Sequence, residues 1–240
     1  MDIARTHEQS YRVRFDEADA RGYLRPSGLL RYAQDLAWQH SDAAGFDRGW
    51  YEERGVSWLV RMVSLGVIKP VAYGDRLIAT TRVIGWRRVW ARRRTSFELA
   101  DGTSVAEADT DWVLLTREGR PTRIPDEIAR YFAPGGSFRP DRIELPETPI
   151  DAISTETAVR PAMVDPLGHL NNAAYLDLVD EAVAPLADEA PARSGYRVEY
   201  LRPALPGAVL HVAAWRADDQ RFACRMTDAA GSEVCRALVS

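Results

Sequence analysis

Residues 164–183 read VDPLGHLNNAAYLDLVDEAV, and the fold can be argued outward from them. The first part, DPLG, is a favourable turn sequence. The second part carries apolar side chains at helical spacing, among them Leu176, Val179 and Val183. The stretch therefore predicts a turn followed by an amphipathic helix that starts near Asn172.

The chain contains the same order of segments twice. DARGYL at 19–24 matches DPLGHL at 165–170, an offset of 146 residues. KPVAYG at 69–74 matches RPALPG at 202–207 with an offset of 133, and DGTSVAEA at 101–108 resembles AGSEVCRA at 230–237 with an offset of 129. Shorter loops in a second copy would make the offsets shrink along the chain, so we interpret the sequence as a duplication.

The sequence of each copy predicts a strand, a turn, a helix and four further strands. In the first copy the first strand is at 10–15, the helix at 27–45 and the further strands at 56–68, 75–86, 89–99 and 104–115. In the second copy the first strand is at 157–164, the helix at 173–187 and the further strands at 196–203, 208–217, 221–227 and 233–240. One helix can bury its apolar stripe against four strands only if the sheet wraps around it. Two such units can join edge to edge and cover both edges. The predicted class is therefore α+β, with two tandem units.

The predicted boundaries are an N-terminal domain at 1–133, a linker at 134–155 and a C-terminal domain at 156–240. The linker is rich in proline, glycine and charged residues, a composition that predicts an exposed connector instead of a core element.

The composition excludes some function classes. The 240 residues are 46% hydrophobic, as in an ordinary globular protein, and the net charge of -4 gives no reason to expect nucleic acid as a partner. The polar start, MDIARTHEQS, lacks the apolar stretch of a signal peptide. No run approaches the roughly 20 apolar residues that cross a bilayer. We therefore expect a cytoplasmic protein without membrane insertion.

Several segments resemble those of the acyl-acyl-carrier-protein (acyl-ACP) thioesterases: LLRYAQDLAWQHSDAAGF, WLVRM, YGDRLIATTRV, ARRRTSFEL and IPDEI in the first copy, and DPLGHLNNAAYLDLVDEA and VEYLRPA in the second. The resemblance covers nearly the whole chain. It implies a double hotdog fold, in which two antiparallel sheets each wrap a long central helix and form a pseudo-dimer with a continuous sheet. It also implies a thiolester hydrolase that releases fatty acid from acyl-ACP or acyl-CoA, and we expect no cofactor or metal.

The residues that match the catalytic set of this family are incomplete. Asp165, His169 and Glu181 stand where the family has its acid, histidine and helix glutamate. The plant members carry an asparagine two residues before the histidine, where this chain has Leu167. They also carry a Glu-Cys pair where this chain has Pro203 and Ala204. The family's machinery therefore cannot be transferred whole.

Thioester hydrolysis needs an oxyanion site, a base for water and an apolar slot. The helix N-terminus near Asn172 can stabilise the oxyanion with unpaired N–H groups, and Gly168 would let the thioester approach. Asp165 or His169 could deprotonate water, and Asn171 could donate to the carbonyl or position the water. We predict Asp165, His169, Asn171 and Glu181 as catalytic residues, Glu181 only if its helix face points inward.

These residues also have structural interpretations. Asp165 can simply begin a turn, Asn172 is more easily read as an N-cap than as a catalyst, and Glu181 as a solvated helix residue. In the first copy, Asp19, Gly22 and Tyr23 stand where the second has Asp165, Gly168 and His169. Tyrosine is a poor base at neutral pH, so we expect one working site, in the second copy. The resemblance implies that the first copy shapes the acyl pocket.

The arginine-rich strand, residues 87–94, offers a second binding hypothesis. Arg92 and Arg93 could dock the pantetheine phosphate or an acidic carrier protein. However, alternate side chains of a strand face opposite sides, and one or two structural ion pairs would explain the same residues.

Two rival functions stay open. One is a hotdog hydratase or dehydratase of acyl thioesters; the other is a non-catalytic acyl-thioester binding protein. Both a monomer and a homodimer are compatible with the sequence.

Overall fold

The computed structural model describes residues 5–132, 139–186 and 194–240. The chain divides into two compact units, Met1–Asp141 and Arg142–Ser240. This division falls within the stretch predicted as a linker, 134–155. Residues 133–138, where that linker was predicted to begin, lie outside the described residues.

The described part of the N-terminal unit contains a five-stranded antiparallel sheet in the order β1-β3-β4-β5-β2. Its elements are β1 (Thr6–Arg12), α1 (Pro26–Ala43), α2 (Arg48–Arg54), β2 (Val56–Val67), β3 (Arg76–Arg87), β4 (Trp90–Leu99), β5 (Ser104–Thr116) and α3 (Asp126–Tyr131). The long helix α1 packs on β1, β3 and β5 and buries Leu29, Leu30 and Leu36 there. The predicted sheet around a central helix is thus confirmed in this unit.

The described part of the C-terminal unit repeats this arrangement, with strand order β7-β10-β9-β8-β6. Its elements are β6 (Ile153–Ala158), α4 (Asn172–Val183), β7 (Gly195–Tyr200), β8 (Val209–Arg216), β9 (Phe222–Asp228) and β10 (Glu233–Val239). Helix α4 packs on β6, β8 and β9, with Leu176, Val179 and Val183 buried. The apolar stripe read from the sequence is the face that the sheet covers.

The duplication is visible in individual backbone hydrogen bonds. The N–H of Leu24 donates to the carbonyl of Val71 at 2.9 Å, and the N–H of Leu170 donates to that of Ala204 at 2.9 Å. These pairs differ by the offsets of 146 and 133 residues found in the sequence. In the next corresponding pair, the N–H of Ile68 donates to the carbonyl of Val105, and the N–H of Leu201 donates to that of Val234. The two donors differ by 133 positions and the two acceptors by 129.

Two strand positions and the character of the linker differ from the prediction. β1 ends at Arg12 because the chain enters a 3₁₀ turn in which Phe15 is 80% exposed. β6 begins at Ile153, inside the predicted linker. Ile143 of that linker is 1% exposed; its N–H donates to Glu199 and its carbonyl accepts from Arg236. This part of the connector is therefore a core element of the C-terminal unit.

No helix in the described ranges is long and apolar enough to cross a membrane.

Candidate functional site

The turn before α4 is organised by Asp165. Its Oδ1 accepts hydrogen bonds from the N–H groups of Leu167 at 2.9 Å and His169 at 3.4 Å. Its own N–H donates to the carbonyl of His169 at 2.8 Å, and the N–H of Gly168 donates to its carbonyl at 2.9 Å. Gly168 has φ 82°, in the left-handed region that glycine adopts at little cost. One carboxylate oxygen of Asp165 therefore holds the turn that presents His169.

The start of α4 leaves a single first-turn donor open among the described residues. The N-cap is Asn171, whose side-chain oxygen accepts from the N–H of Ala173 at 2.8 Å, and whose carbonyl accepts from the N–H of Ala174 at 2.9 Å. The N–H of Asn172 has no partner there. The N-cap interpretation of Asn172 is wrong by one residue, because Asn171 has the extended φ and ψ of a cap. Asn172 contributes a backbone donor instead.

Asp165 and His169 keep reactive atoms available. Both side chains are half-buried, and in the described part of the chain no side chain hydrogen-bonds to the His169 ring or to Oδ2 of Asp165. The pKa of the neighbouring Tyr175 is raised, mainly by burial and in smaller part by the Asp165 carboxylate. Oδ2 of Asp165 and the His169 ring are therefore the groups of this turn that can still act on a ligand.

The first copy folds the same turn without the same chemistry. The Oδ1 of Asp19 accepts from the N–H groups of Arg21 and Tyr23, and Gly22 has φ 84°. The helix that follows has Arg25 as N-cap and Pro26 as first residue. Because proline has no N–H, Pro26 lacks the donor that Asn172 offers at the equivalent position. The prediction of one site in the second copy is consistent with this difference.

Glu181 does not join the turn. It is exposed and lies nine positions after Asn172 in the helix, about 14 Å of rise. The condition for a catalytic Glu181, an inward-facing position, is not met because α4 turns its apolar face to the sheet. We therefore leave Glu181 out of the set.

The arginine-rich strand β4 alternates as expected. Arg92 forms two hydrogen bonds with Asp111, at 2.6 and 2.7 Å, and Arg94 forms two with Asp109, at 2.8 Å each. Arg93 faces the other side and is 8% exposed. Docking of a carrier protein on Arg93 conflicts with this burial. For Arg92 the bidentate ion pair with buried Asp111 supports the structural interpretation.

An apolar cavity occupies the N-terminal unit. The space between its walls is about 660 Å³, part of which is open to solvent. Helices α1, α2 and α3 and strands β2 to β5 supply its walls, which consist of Ala37, Trp38, Ser41, Tyr51, Trp58, Val83, Trp86, Ala91, Arg93, Trp112, Ile124, Ile128, Ala129 and Phe132. A largely apolar wall with a few polar groups is typical of a pocket for a hydrophobic ligand.

A buried polar pair lies at the wall of the cavity. Nη1 of Arg93 donates to Nδ1 of His40 at 2.9 Å. Burial, followed by the charges of Arg93 and His7, lowers the pKa of His40 to about 3, so its ring is neutral. Because a guanidinium only donates, Nδ1 of His40 must carry the lone pair and Nε2 the proton.

Of the residues in the cavity wall, sequence reasoning named only Arg93 as a binding residue, and that for docking the pantetheine phosphate or the carrier protein. Helices α2 and α3 were not predicted, although Asp47, which caps α2, and Gly55, in the left-handed conformation at its end, are typical helix boundaries. The clustering of six of the seven tryptophans in the first copy was a further signal. No group of three or more histidine, cysteine or acidic residues in the described ranges is placed to hold a metal ion.

The known proteins that are similar in sequence to this chain are acyl-ACP thioesterases. The family described as acyl-ACP thioesterase N-terminal domain matches residues 4–132. A chloroplastic acyl-[acyl-carrier-protein] hydrolase of Cuphea viscosissima is 24% identical over 214 residues, which are 81% of this chain and 51% of the relative. A chloroplastic acyl-acyl carrier protein thioesterase of Arabidopsis thaliana is 25% identical over 127 residues, 52% of this chain and 68% of the relative. The chain thus spans about half the length of the Cuphea relative.

Solved structures share the fold. An acyl-ACP thioesterase from Bacteroides thetaiotaomicron superposes with TM-score 0.87 at 16% identity, covering 100% of this chain and 98% of that one. A 12:0-ACP thioesterase from Umbellularia californica gives TM-score 0.84 at 21% identity, covering 98% and 96%. These similarities confirm the double hotdog fold. Since the family match covers more than half of its residues, this chain belongs to the acyl-ACP thioesterase family.

Proposed function

We propose that this chain hydrolyses fatty acyl-ACP thioesters to free fatty acid. The observation that carries the proposal is the start of α4, where the open N–H of Asn172 lies beside the turn of Asp165 and His169. Family membership supports the reaction class. The apolar cavity of the N-terminal unit supports a substrate with a hydrocarbon chain.

The reaction needs charge stabilisation at the carbonyl. The thioester oxygen would accept a hydrogen bond from the Asn172 N–H, at the positive end of the α4 dipole. The side-chain NH₂ of Asn171 is a second donor, since its oxygen is already used as the cap. Loss of one such donor typically costs about 3 kcal/mol of barrier.

Water activation is assigned to Asp165 and His169. Either Oδ2 of Asp165 or a ring nitrogen of His169 would take the proton of the attacking water as its oxygen bonds to the carbonyl carbon. Collapse of the tetrahedral intermediate then breaks the C–S bond, and the thiol of the carrier leaves with a proton. Gly168, exposed and without a side chain, leaves room for the thioester to approach.

Several finer points remain part of the proposal. The relatives named above act on ACP substrates by their names, so we propose ACP as the carrier, and CoA thioesters as a second substrate to be tested. The cytoplasmic location stays a prediction, and the relatives from Cuphea viscosissima and Arabidopsis thaliana are chloroplastic. A homodimer also stays a prediction.

The experiment asks whether Asp165 only holds the turn or also acts as a base. Asp165→Asn keeps a side-chain oxygen for the N–H groups of Leu167 and His169, so the turn persists while the carboxylate is lost. We expect release of thiol from dodecanoyl-ACP to fall about 10²- to 10⁴-fold, the usual contribution of a general base. Asp19→Asn makes the same change in the first copy and should leave the rate unchanged.

His169→Gln completes the comparison. If neither Asp165→Asn nor His169→Gln lowers the rate, the proposed site is wrong. Tight binding of dodecanoyl-ACP without thiol release by the unaltered protein would favour the binding protein, and addition of water to an enoyl thioester would favour the hydratase.

A further inference from the structure

The cavity of the N-terminal unit contains a buried cation without an anion. Arg93 is 8% exposed and lines the cavity, and its Nη1 donates to Nδ1 of His40 at 2.9 Å and to Oγ1 of Thr81 at 3.4 Å. Among the described residues no aspartate or glutamate pairs with it. By contrast, Arg92 and Arg94 of the same strand each have a carboxylate.

Arg93 keeps its charge in this setting. Burial lowers its pKa to about 10, which still leaves the guanidinium protonated at neutral pH. Neutral His40 supplies a lone pair but no negative charge, and the face of Phe132 lies 5.8 Å from the guanidinium carbon. Burying an ion without a counter-ion costs free energy. An anionic ligand in the cavity would offset that cost by pairing with Arg93.

The polar groups of the cavity wall that have no partner among the described residues are donors. The indole N–H groups of Trp86 and Trp112 are buried and have no hydrogen-bond partner among the described residues. The hydroxyls of Ser41 and Tyr51 bond to each other at 2.8 Å and are already occupied. The wall thus offers N–H groups and a positive charge, and it leaves an acceptor to be supplied by the ligand.

We propose that this cavity binds an aliphatic chain that carries a carboxylate, and that Arg93 is the residue that recognises the carboxylate. The inference deepens the proposed function and rests on it for the fatty nature of the chain. The carboxylate has two sources: the free fatty acid that hydrolysis releases, or an acyl chain with a second carboxyl group at its far end.

The first arm of the test measures binding to the intact protein without turnover. Dodecanoate and dodecan-1-ol are titrated at pH 8, below their aggregation limits, with tryptophan fluorescence and calorimetry as readouts. Because a hydrogen bond to a charged partner adds affinity, we expect dodecanoate to bind about tenfold more tightly than the alcohol.

The second arm tests the far-end carboxylate. Thiol release from dodecanedioyl-CoA is compared with that from dodecanoyl-CoA. A lower KM for the dioyl substrate with no preference for free dodecanoate assigns the carboxylate to the acyl chain. A preference for dodecanoate, with the free acid acting as a competitive inhibitor, assigns it to the product.

Variants of β4 identify the residue. Arg93→Met should abolish the preference for the carboxylate ligand, whether that ligand is dodecanoate or dodecanedioyl-CoA. Its Kd for dodecan-1-ol should stay within about twofold of that of the unaltered protein. Arg93→Lys, which keeps the positive charge, should retain part of the preference. Arg94→Gln, on the opposite face of the strand, should leave every value unchanged. Thermal unfolding of each variant establishes that it is folded, and the comparison of ligands on the unaltered protein holds even if Arg93→Met does not fold.

Equal binding of dodecanoate and dodecan-1-ol, together with equal KM values for the two CoA substrates, would overturn the inference. An unchanged preference in folded Arg93→Met would do the same. If the protein prefers the carboxylate ligand but releases no thiol, the proposed function is wrong and the carboxylate site still stands, because the binding arm does not depend on catalysis.

Discussion

At the scale of single residues, Asn171 is the N-cap of α4, and in the proposed mechanism the same side chain also binds the substrate. Its oxygen caps α4 by accepting from the Ala173 N–H at 2.8 Å, while its NH₂ group is the part that can donate to a substrate carbonyl. The sequence places two asparagines together, but only the backbone conformation shows that Asn171 is the cap and that Asn172 gives the open N–H.

This division gives a prediction for Asn171→Asp. The carboxylate keeps the cap and suits the positive end of the helix, so the free energy of unfolding in urea should be unchanged or slightly higher. The lost donor should lower thiol release about a hundredfold. Asn171→Ala, which also loses the cap, should cost about 1 kcal/mol of stability in addition. Full activity of folded Asn171→Asp would exclude a donor role for its NH₂ group.

His40 predicts an acid-dependent loss of stability. Its pKa is about 3 in the folded protein, through burial and the nearby Arg93 and His7, against 6.5 for an ordinary histidine. Between these values the unfolded chain binds the proton and the folded chain does not, so the stability present above pH 6.5 is lost as the pH falls towards 3.

The variant His40→Gln removes this titration and keeps an acceptor for Arg93. Urea unfolding between pH 6.5 and 4.5 should show a shallower decline in the variant, by up to about 1.4 kcal/mol per pH unit. Parallel pH profiles for the two proteins would show that His40 does not stay neutral in the fold.

At the scale of elements, the two turn-and-helix motifs provide an internal control. Gly168 and Gly22 have φ of 82° and 84°, and a Cβ at either position would meet no atom within 4 Å. Steric cost within the folded protein therefore comes from the backbone conformation alone.

Gly168→Ala and Gly22→Ala should each lower the free energy of unfolding by about 1 kcal/mol, the cost of a left-handed conformation with a Cβ. Thiol release should fall only for Gly168→Ala, since only that turn precedes the open N–H of Asn172. Stability comes from chemical unfolding and the rate from dodecanoyl-ACP. An equal loss of rate in both variants would mean that the first turn also belongs to an active site.

At the scale of the whole molecule, the proposed catalytic turn and the apolar cavity lie in different copies of one motif. The turn with Asp165 and His169 lies in the C-terminal unit, and the cavity lies in the N-terminal unit. Duplication allows this division, because each copy keeps the sheet and helix while the residues at the turn and in the wall diverge.

The division predicts separate effects on chain length and on rate. Ala91 lines the cavity, so Ala91→Phe should fill part of it and raise KM for hexadecanoyl-ACP about tenfold relative to octanoyl-ACP. Asp165→Asn should lower the rate on both substrates alike. Glu98→Phe, an exposed position of the same strand outside the cavity wall, is the control. An unchanged ratio of KM values in Ala91→Phe would show that the acyl chain does not enter the cavity.

The sequence by itself determined the duplication, the helix of each copy and the approximate position of nearly every strand. It also placed Asp165, Gly168 and His169 in one turn. These features depend on local periodicity and on turn residues a few positions apart, so the chain order alone carries them.

Only the tertiary structure decided the rest. The cavity, the buried Arg93 beside His40 and the core position of Ile143 depend on contacts between residues that are far apart in the chain. The exposed position of Glu181 follows from which face of α4 the sheet covers. The choice between Asn171 and Asn172 as cap depends on backbone angles that differ over one residue. Hydrophobic patterning encodes neither the contacts between residues far apart in the chain nor the backbone conformation of a single residue.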